Sequence, residues 1–194
     1  KAVVEFTGVN VHPGSSKNTM VNAALVAIEF NSMLPSADTP RDTEEYEGFF
    51  HLDAMNGNVS TAMLDYIIRD HDVASFDCRL KTMEHIAKIL NEKWGEGTVK
   101  LTITEQYRNM KEIIDTCMEL IDCATAACKE CGTPALITPI RGGTDGARLS
   151  FMGVPCPNLG TGGHAFHGPY EHITVEGMDI AVEVGLKIIE LFYK

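Results

Sequence analysis

The stretch from Gly48 to Asp70 decides the fold. It opens Gly48-Phe49-Phe50-His51-Leu52-Asp53-Ala54, passes through Asn56-Gly57-Asn58, and returns through Met63-Leu64-Asp65-Tyr66-Ile67-Ile68-Arg69-Asp70. Two runs rich in aromatic and β-branched residues around an Asn-Gly pair read as a β-hairpin, with the turn expected at 56–58. Upstream, residues 2–9 read as a strand and 19–33 as a helix, with Met20, Ala23, Ala24, Ala27 and Ile28 forming an apolar stripe. Residues 35–47 form a polar loop. Downstream, an amphipathic pattern over 73–94 ends at Gly95 and Gly97, which suit a helix C-terminus. Alternation over 99–107 predicts a last strand. The order β-α-β-β-α-β is the ferredoxin-like split βαβ arrangement, an α+β domain of about 108 residues.

The rest reads as α/β material with too few strands for a sheet covered on both faces. A helix of about 22 residues is expected to end at Cys131-Gly132. Ala135–Ile140 is expected to be a short buried strand, Arg141-Gly142-Gly143-Thr144-Asp145-Gly146 a turn before a short helix, and 175–192 a closing helix. Because the first residue is Lys1 and leads straight into a strand, the chain reads as cut from something longer.

The 194 residues carry 44% hydrophobic and 22% charged side chains, ordinary for a globular protein with its own core. A formal net charge of −11 argues against nucleic acid and anionic membrane surfaces, both of which select clustered Lys and Arg. No apolar run approaches the roughly 20 residues of a membrane span, and no signal peptide is visible. Six cysteines without a secretory signal read as reduced, mostly buried thiols, with Cys117, Cys123 and Cys128 in one helical stretch.

Chemistry concentrates in a few places. His164, His167, Glu171 and His172 crowd a glycine-rich loop, and imidazoles at such spacing can share a metal ion or stand as solvated loop residues. Arg141 before a helix start can grip a carboxylate or serve as a surface arginine in a tight turn. Cys128 and Cys131 have the spacing of a redox pair but lie at a helix C-terminus, where the dipole does not favour thiolate. His12-Pro13-Gly14 reads as a turn.

Taken together and in order, several stretches carry a likeness: Val9–Ser15, Met20–Ala23, Glu45–Phe49, Tyr66–Asp70, Pro139–Ala147, Leu149–Leu159, Thr161–Gly163, and His167-Gly168 with Glu171. They resemble the M20 metallopeptidases, and among them the tripeptide aminopeptidases. The resemblance implies a cytoplasmic two-domain enzyme in which a ferredoxin-like lid, also the homodimerising element, is inserted into a zinc-binding catalytic domain. Residues 1–108 match the lid and 109–194 the last part of the catalytic domain. His167 falls on a zinc ligand, and His12 on the lid histidine that stabilises the tetrahedral intermediate in the partner's active site. Arg141 falls where substrate backbone or carboxylate is held, with Asn56 and Arg69 as further candidate substrate contacts. The family's other ligands for its two zinc ions, and its general-base glutamate, precede the lid and have no counterpart here. The expected function is therefore that of a fragment of an enzyme releasing the N-terminal residue of tripeptides, inactive alone. The alternative is a non-catalytic dimerisation or interaction module derived from such a peptidase.

Overall fold

A computed structural model describes residues 1–104 and 109–193. Two compact units divide the chain, Lys1–Gln106 and Tyr107–Lys194. The first contains β1 (Ala2–Thr7), α1 (Ala23–Met33), β2 (Phe49–Gly57), β3 (Thr61–Arg69), α2 (Val73–Trp94) and β4 (Val99–Ile103). Its antiparallel sheet has the order β2-β3-β1-β4. β3 thus lies between β1 and β2, and β1 between β3 and β4, which is the split βαβ arrangement that the hairpin implied.

Period-two alternation builds the buried face. Ala2, Val4 and Phe6 of β1 and Ala62, Leu64, Tyr66 and Ile68 of β3 point inward. Against them pack Val26, Ala27 and Phe30 of α1 and Met83, Ile86 and Leu90 of α2. Phe30 is the hub, with ring centroids 5.8 Å from Phe6 and 6.2 Å from Tyr66. The Tyr66 hydroxyl donates to Asn31 Oδ1 at 2.9 Å, satisfying a phenol whose pKa burial raises.

Several local expectations are corrected. The hairpin turn lies two residues later than Asn56-Gly57-Asn58 suggests: Asn56 and Gly57 stay in β2, opposite Met63 and Ala62. The Asn58 carboxamide accepts from the Ser60 and Thr61 amides, so it organises the reversal by an Asx turn. Helix α1 starts at Ala23, not at 19, because Asn22 Oδ1 caps the Ala24 and Leu25 amides. The buried face of α1 runs through Ala23, Val26, Ala27 and Phe30, so Ala23 and Ala27 of the expected stripe are buried and Ile28 is exposed. β1 ends at Thr7 and β4 at Ile103; the expected continuation of β4 over 105–107 lies outside the described residues. Helix α2 matches its expected span and ends on Gly95. The Asn91 side chain then accepts from Val99 N and donates to Val99 O, both at 2.8 Å, tying α2 to β4.

The second unit contains α3 (Lys111–Ile114), α4 (Glu119–Glu130), α5 (Asp145–Phe151), β5 (Gly163–His164), β6 (His172–Ile173) and α6 (Val175–Tyr193). The expected 22-residue helix is broken at 115–118, where the Thr116 and Cys117 amides make tighter i→i−3 bonds and Thr116 Oγ1 donates to Ile113 O. Cys117 therefore sits in the break, apart from Cys123 and Cys128 in α4. The six cysteines are free, but they are not mostly buried: Cys78 is exposed and the others are half-buried. The expected buried strand at 135–140 is irregular, with Leu136 and Ile137 80% and 75% exposed. A parallel strand needs paired neighbours to be buried, and among the described residues none pairs with this segment. No described helix is long and apolar enough to cross a membrane.

Candidate functional site

His12 stands at the tip of an excursion that begins where β1 ends. Residues 9–21 leave the sheet and return through an antiparallel bridge between Val9 and Val21, with N–H···O bonds of 2.8 and 3.1 Å. Inside the excursion Pro13–Ser15 form one 3₁₀ turn whose N-cap is His12. The Gly14 amide donates to His12 Nδ1 at 3.1 Å. An amide can only donate, so Nδ1 is the unprotonated nitrogen and the neutral ring carries its proton on Nε2. His12 is exposed, so the turn presents an imidazole N–H donor to whatever approaches.

Asn56 lies on β2 next to the hairpin turn and is exposed, at the sheet end where Thr7 pairs with Thr61 and the His12 excursion begins. Arg69 lies at the other end of β3, opposite Phe49, six residues from Met63. At about 3.3 Å per residue that separation is roughly 20 Å. The fold thus gathers Asn56 and the His12 excursion at one sheet end and leaves Arg69 at the other, where its Nη1 donates to Ile68 O.

Near Arg69 lies a charge cluster that sequence reasoning missed. Arg79 Nε donates to Asp70 Oδ2 at 2.8 Å, and Arg79 Nη1 donates to Asp38 Oδ2. The guanidinium also sits 5.2 Å from the Phe50 ring centroid. Burial acts to lower the Arg79 pKa, but the hydrogen bonds to Asp70 and Asp38 prevail and raise it. A Cβ on Gly48 would collide with Asp70 Oδ2, the Arg69 carbonyl and Arg79 Nε. This cluster fastens the 35–47 loop to the β2–β3 end. Its one sequence signal is Gly48, since glycine marks close approach.

In the second unit Arg141 is half-buried and precedes α5, whose N-cap Thr144 Oγ1 accepts from the Ala147 amide at 3.3 Å. The buried Ser150 hydroxyl donates to Gly146 O and accepts from Cys156 N, fixing the segment that leads to Asn158. His167 is exposed with φ 63°, in the left-handed region. Its backbone amide donates to Glu171 Oε2 at 3.1 Å, so Glu171 braces the loop backbone. His164 and His172 face each other across β5–β6 as stacked rings 5.2 Å apart, and the Tyr170 carbonyl accepts from His172 Nδ1. The histidine-rich segment therefore resolves into a stacked pair at the loop's neck and His167 at its tip. Among the described residues no three His, Cys, Asp or Glu side chains gather as a metal site. One imidazole does not satisfy a zinc ion that takes three or four protein ligands, so the described residues alone do not fit the metal.

The model of the peptidase dimerisation domain (M20_dimer) matches residues 1–98. The chain belongs to the M20 peptidase family. It is 53% identical over 191 residues to the protein named Peptidase T from Clostridium perfringens (strain ATCC 13124), covering 98% of this chain and 47% of that protein. Among solved structures, it resembles a tripeptidase from Staphylococcus aureus subsp. aureus Mu50 with a TM-score of 0.76 at 19% identity, over 98% of this chain and 50% of that one. It also resembles the aminopeptidase PepT from Bacillus cereus ATCC 10987 with a TM-score of 0.75 at 17% identity, over 100% and 51% of the two chains. At those identities the structural likeness establishes the fold alone. The chain spans about half the length of the curated relatives it matches.

Proposed function

We propose that this chain is the lid and the last part of the catalytic domain of an M20 zinc aminopeptidase that releases the N-terminal residue of tripeptides. Residues 1–108 form the lid and homodimerising element, and 109–194 the catalytic part. The 53% identity to a protein named Peptidase T supports this reading. The single observation that carries it is His12: an exposed imidazole with Nδ1 held by the Gly14 amide and Nε2–H directed away from that bond. Such a donor suits a developing oxyanion, whose charge a preorganised N–H stabilises more than it stabilises the ground-state carbonyl. In this reading His12 acts in the active site of the partner subunit. Arg141 holds the substrate carboxylate or backbone, with Asn56 or Arg69, which stand at opposite ends of the sheet, as a further substrate contact. His167 supplies one zinc ligand in the longer protein, which would hold two ions. The proposed compartment is the cytoplasm, a reading supported by six free cysteines.

The test uses the longer protein and a tripeptide. His12→Ala is expected to lower kcat about 10²–10³-fold with normal zinc content, whereas His167→Ala loses zinc as well. Mixing the two inactive variants should restore part of the activity, because a mixed dimer pairs one intact metal site with one intact partner histidine. A mixture that stays inactive although heterodimers form refutes action in trans. The 194-residue chain alone is expected to turn over no tripeptide with added zinc, and turnover above trace rate would overturn that part.

A further inference from the structure

Three backbone segments meet at Gly8. Its own amide donates to Ser60 O at 2.8 Å, which joins the end of β1 to the β2–β3 turn. The Ala23 and Ala24 amides donate to Val59 O and Asn58 O, which joins the start of α1 to the same turn. The next residue, Val9, closes the His12 excursion through its paired bonds with Val21. A Cβ on Gly8 would lie less than 3.0 Å from Val59 O, Val21 O and Ala23 N. All three are backbone atoms, so no side-chain rotation relieves the overlap. Val21 is the excursion's far anchor, and moving its carbonyl pulls directly on the bond to Val9 N.

We propose that Gly8 is the positioning residue of His12: its missing side chain lets the β2–β3 turn and residue 21 close the neck of the 9–21 excursion, and that closure aims the imidazole. This rests on the reading of His12 as the oxyanion donor. Glycine here answers a need for space, since Gly8 has no positive φ. The excursion contributes little to the core, because residues 9–20 are exposed or half-buried. A disturbed neck therefore displaces His12 while the sheet and helices persist.

The experiment reads the imidazole directly. In the 194-residue chain, nitrogen NMR of His12 is expected to show the Nε2–H tautomer with Nδ1 unprotonated, and a protected Val21 amide. Gly8→Ala should give a mixed tautomer and an unprotected Val21 amide, with the signals of β3 and α2 unchanged. Val26→Ala, which removes core methyl groups from α1 away from the neck, should leave His12 as it was. Val21→Pro deletes the Val21 N–H bond with Gly8 in place and should reproduce the Gly8→Ala signature; this variant decides the matter if Gly8→Ala does not fold. An oxidised Val9→Cys/Val21→Cys cross-link should restore the tautomer in Gly8→Ala. In the longer protein Gly8→Ala should lower kcat by up to about 10²-fold, the loss that a misplacement of about 1 Å can cause, with KM and zinc content little changed. Folded Gly8→Ala and Val21→Pro chains with native His12 signals would overturn the proposal. If His12 moves in Gly8→Ala while His12→Ala keeps full kcat, the positioning stands and the role given to His12 fails.

Discussion

The two units differ in what their apolar residues accomplish. In the first, strand alternation and two helices enclose Phe6, Phe30, Leu64, Tyr66, Met83 and Leu90, each at most 1% exposed. In the second, the buried apolar side chains among the described residues are Ile114, Ala127, Ala147 and Val184. Helix α6 meanwhile exposes Val175, Met178, Val182, Leu186, Ile189 and Phe192. Apolar residues are plentiful in both units, so composition does not explain the contrast. A four-stranded sheet offers a continuous surface on which two helices can bury a face, whereas the two-residue strands β5 and β6 offer none. We expect the first unit to be the more stable.

The largest test of that contrast is Phe30→Ala. Removing the hub ring should cost about 3–5 kcal/mol, read as a shift of the urea midpoint. Hydrogen exchange should quicken in β1 and β3 and stay as it was in α4 and α6. Matched losses in α4 and α6 would make the chain one cooperative unit and end the contrast.

A smaller effect concerns the staple between α1 and α2. Glu29 accepts from Lys93 Nζ at 2.5 Å and from Trp94 Nε1 at 3.0 Å. The Lys93 hydrogen bond outweighs burial and, with Trp94, lowers the Glu29 pKa. A lowered folded-state value contributes stability above the unfolded pKa of about 4.3 and loses it as pH falls through the folded value. Glu29→Gln should cost about 0.5 kcal/mol at neutral pH, as expected for a partly exposed pair, and the difference should vanish in acid. A difference that grows as pH falls would contradict the sign.

Smallest of all should be Leu186→Ser on the exposed face of α6, within about 0.5 kcal/mol for this chain. A loss above about 1 kcal/mol would mean that the face is covered in solution, by a second copy or otherwise, and would sharpen the account of the second unit.

Much of this was legible from local pattern. The period-two alternation of β3, the 73–94 helix and the β-α-β-β-α-β order needed only neighbouring residues, because strand and helix periodicity are local properties. The family likeness lay in motif order, and the family match over 1–98 agrees with it. Tertiary structure decided the rest. The Asn58 turn displaced the Asn56-Gly57 signal because two amides found the Asn58 carboxamide, and Asn22 moved the start of α1 in the same way. Residues 135–140 carry a strand's composition yet form none, because a buried strand is completed by neighbours and not by its own side chains. His164, His167, Glu171 and His172 are close in sequence, but pairing across β5–β6 sorts them into a stack and a tip. Arg79, Asp70 and Asp38 are spread over 42 positions and become one cluster only when the 35–47 loop meets the end of β3. Proximity along the chain specifies local geometry, while convergence of distant side chains requires the closed sheet that brings them together.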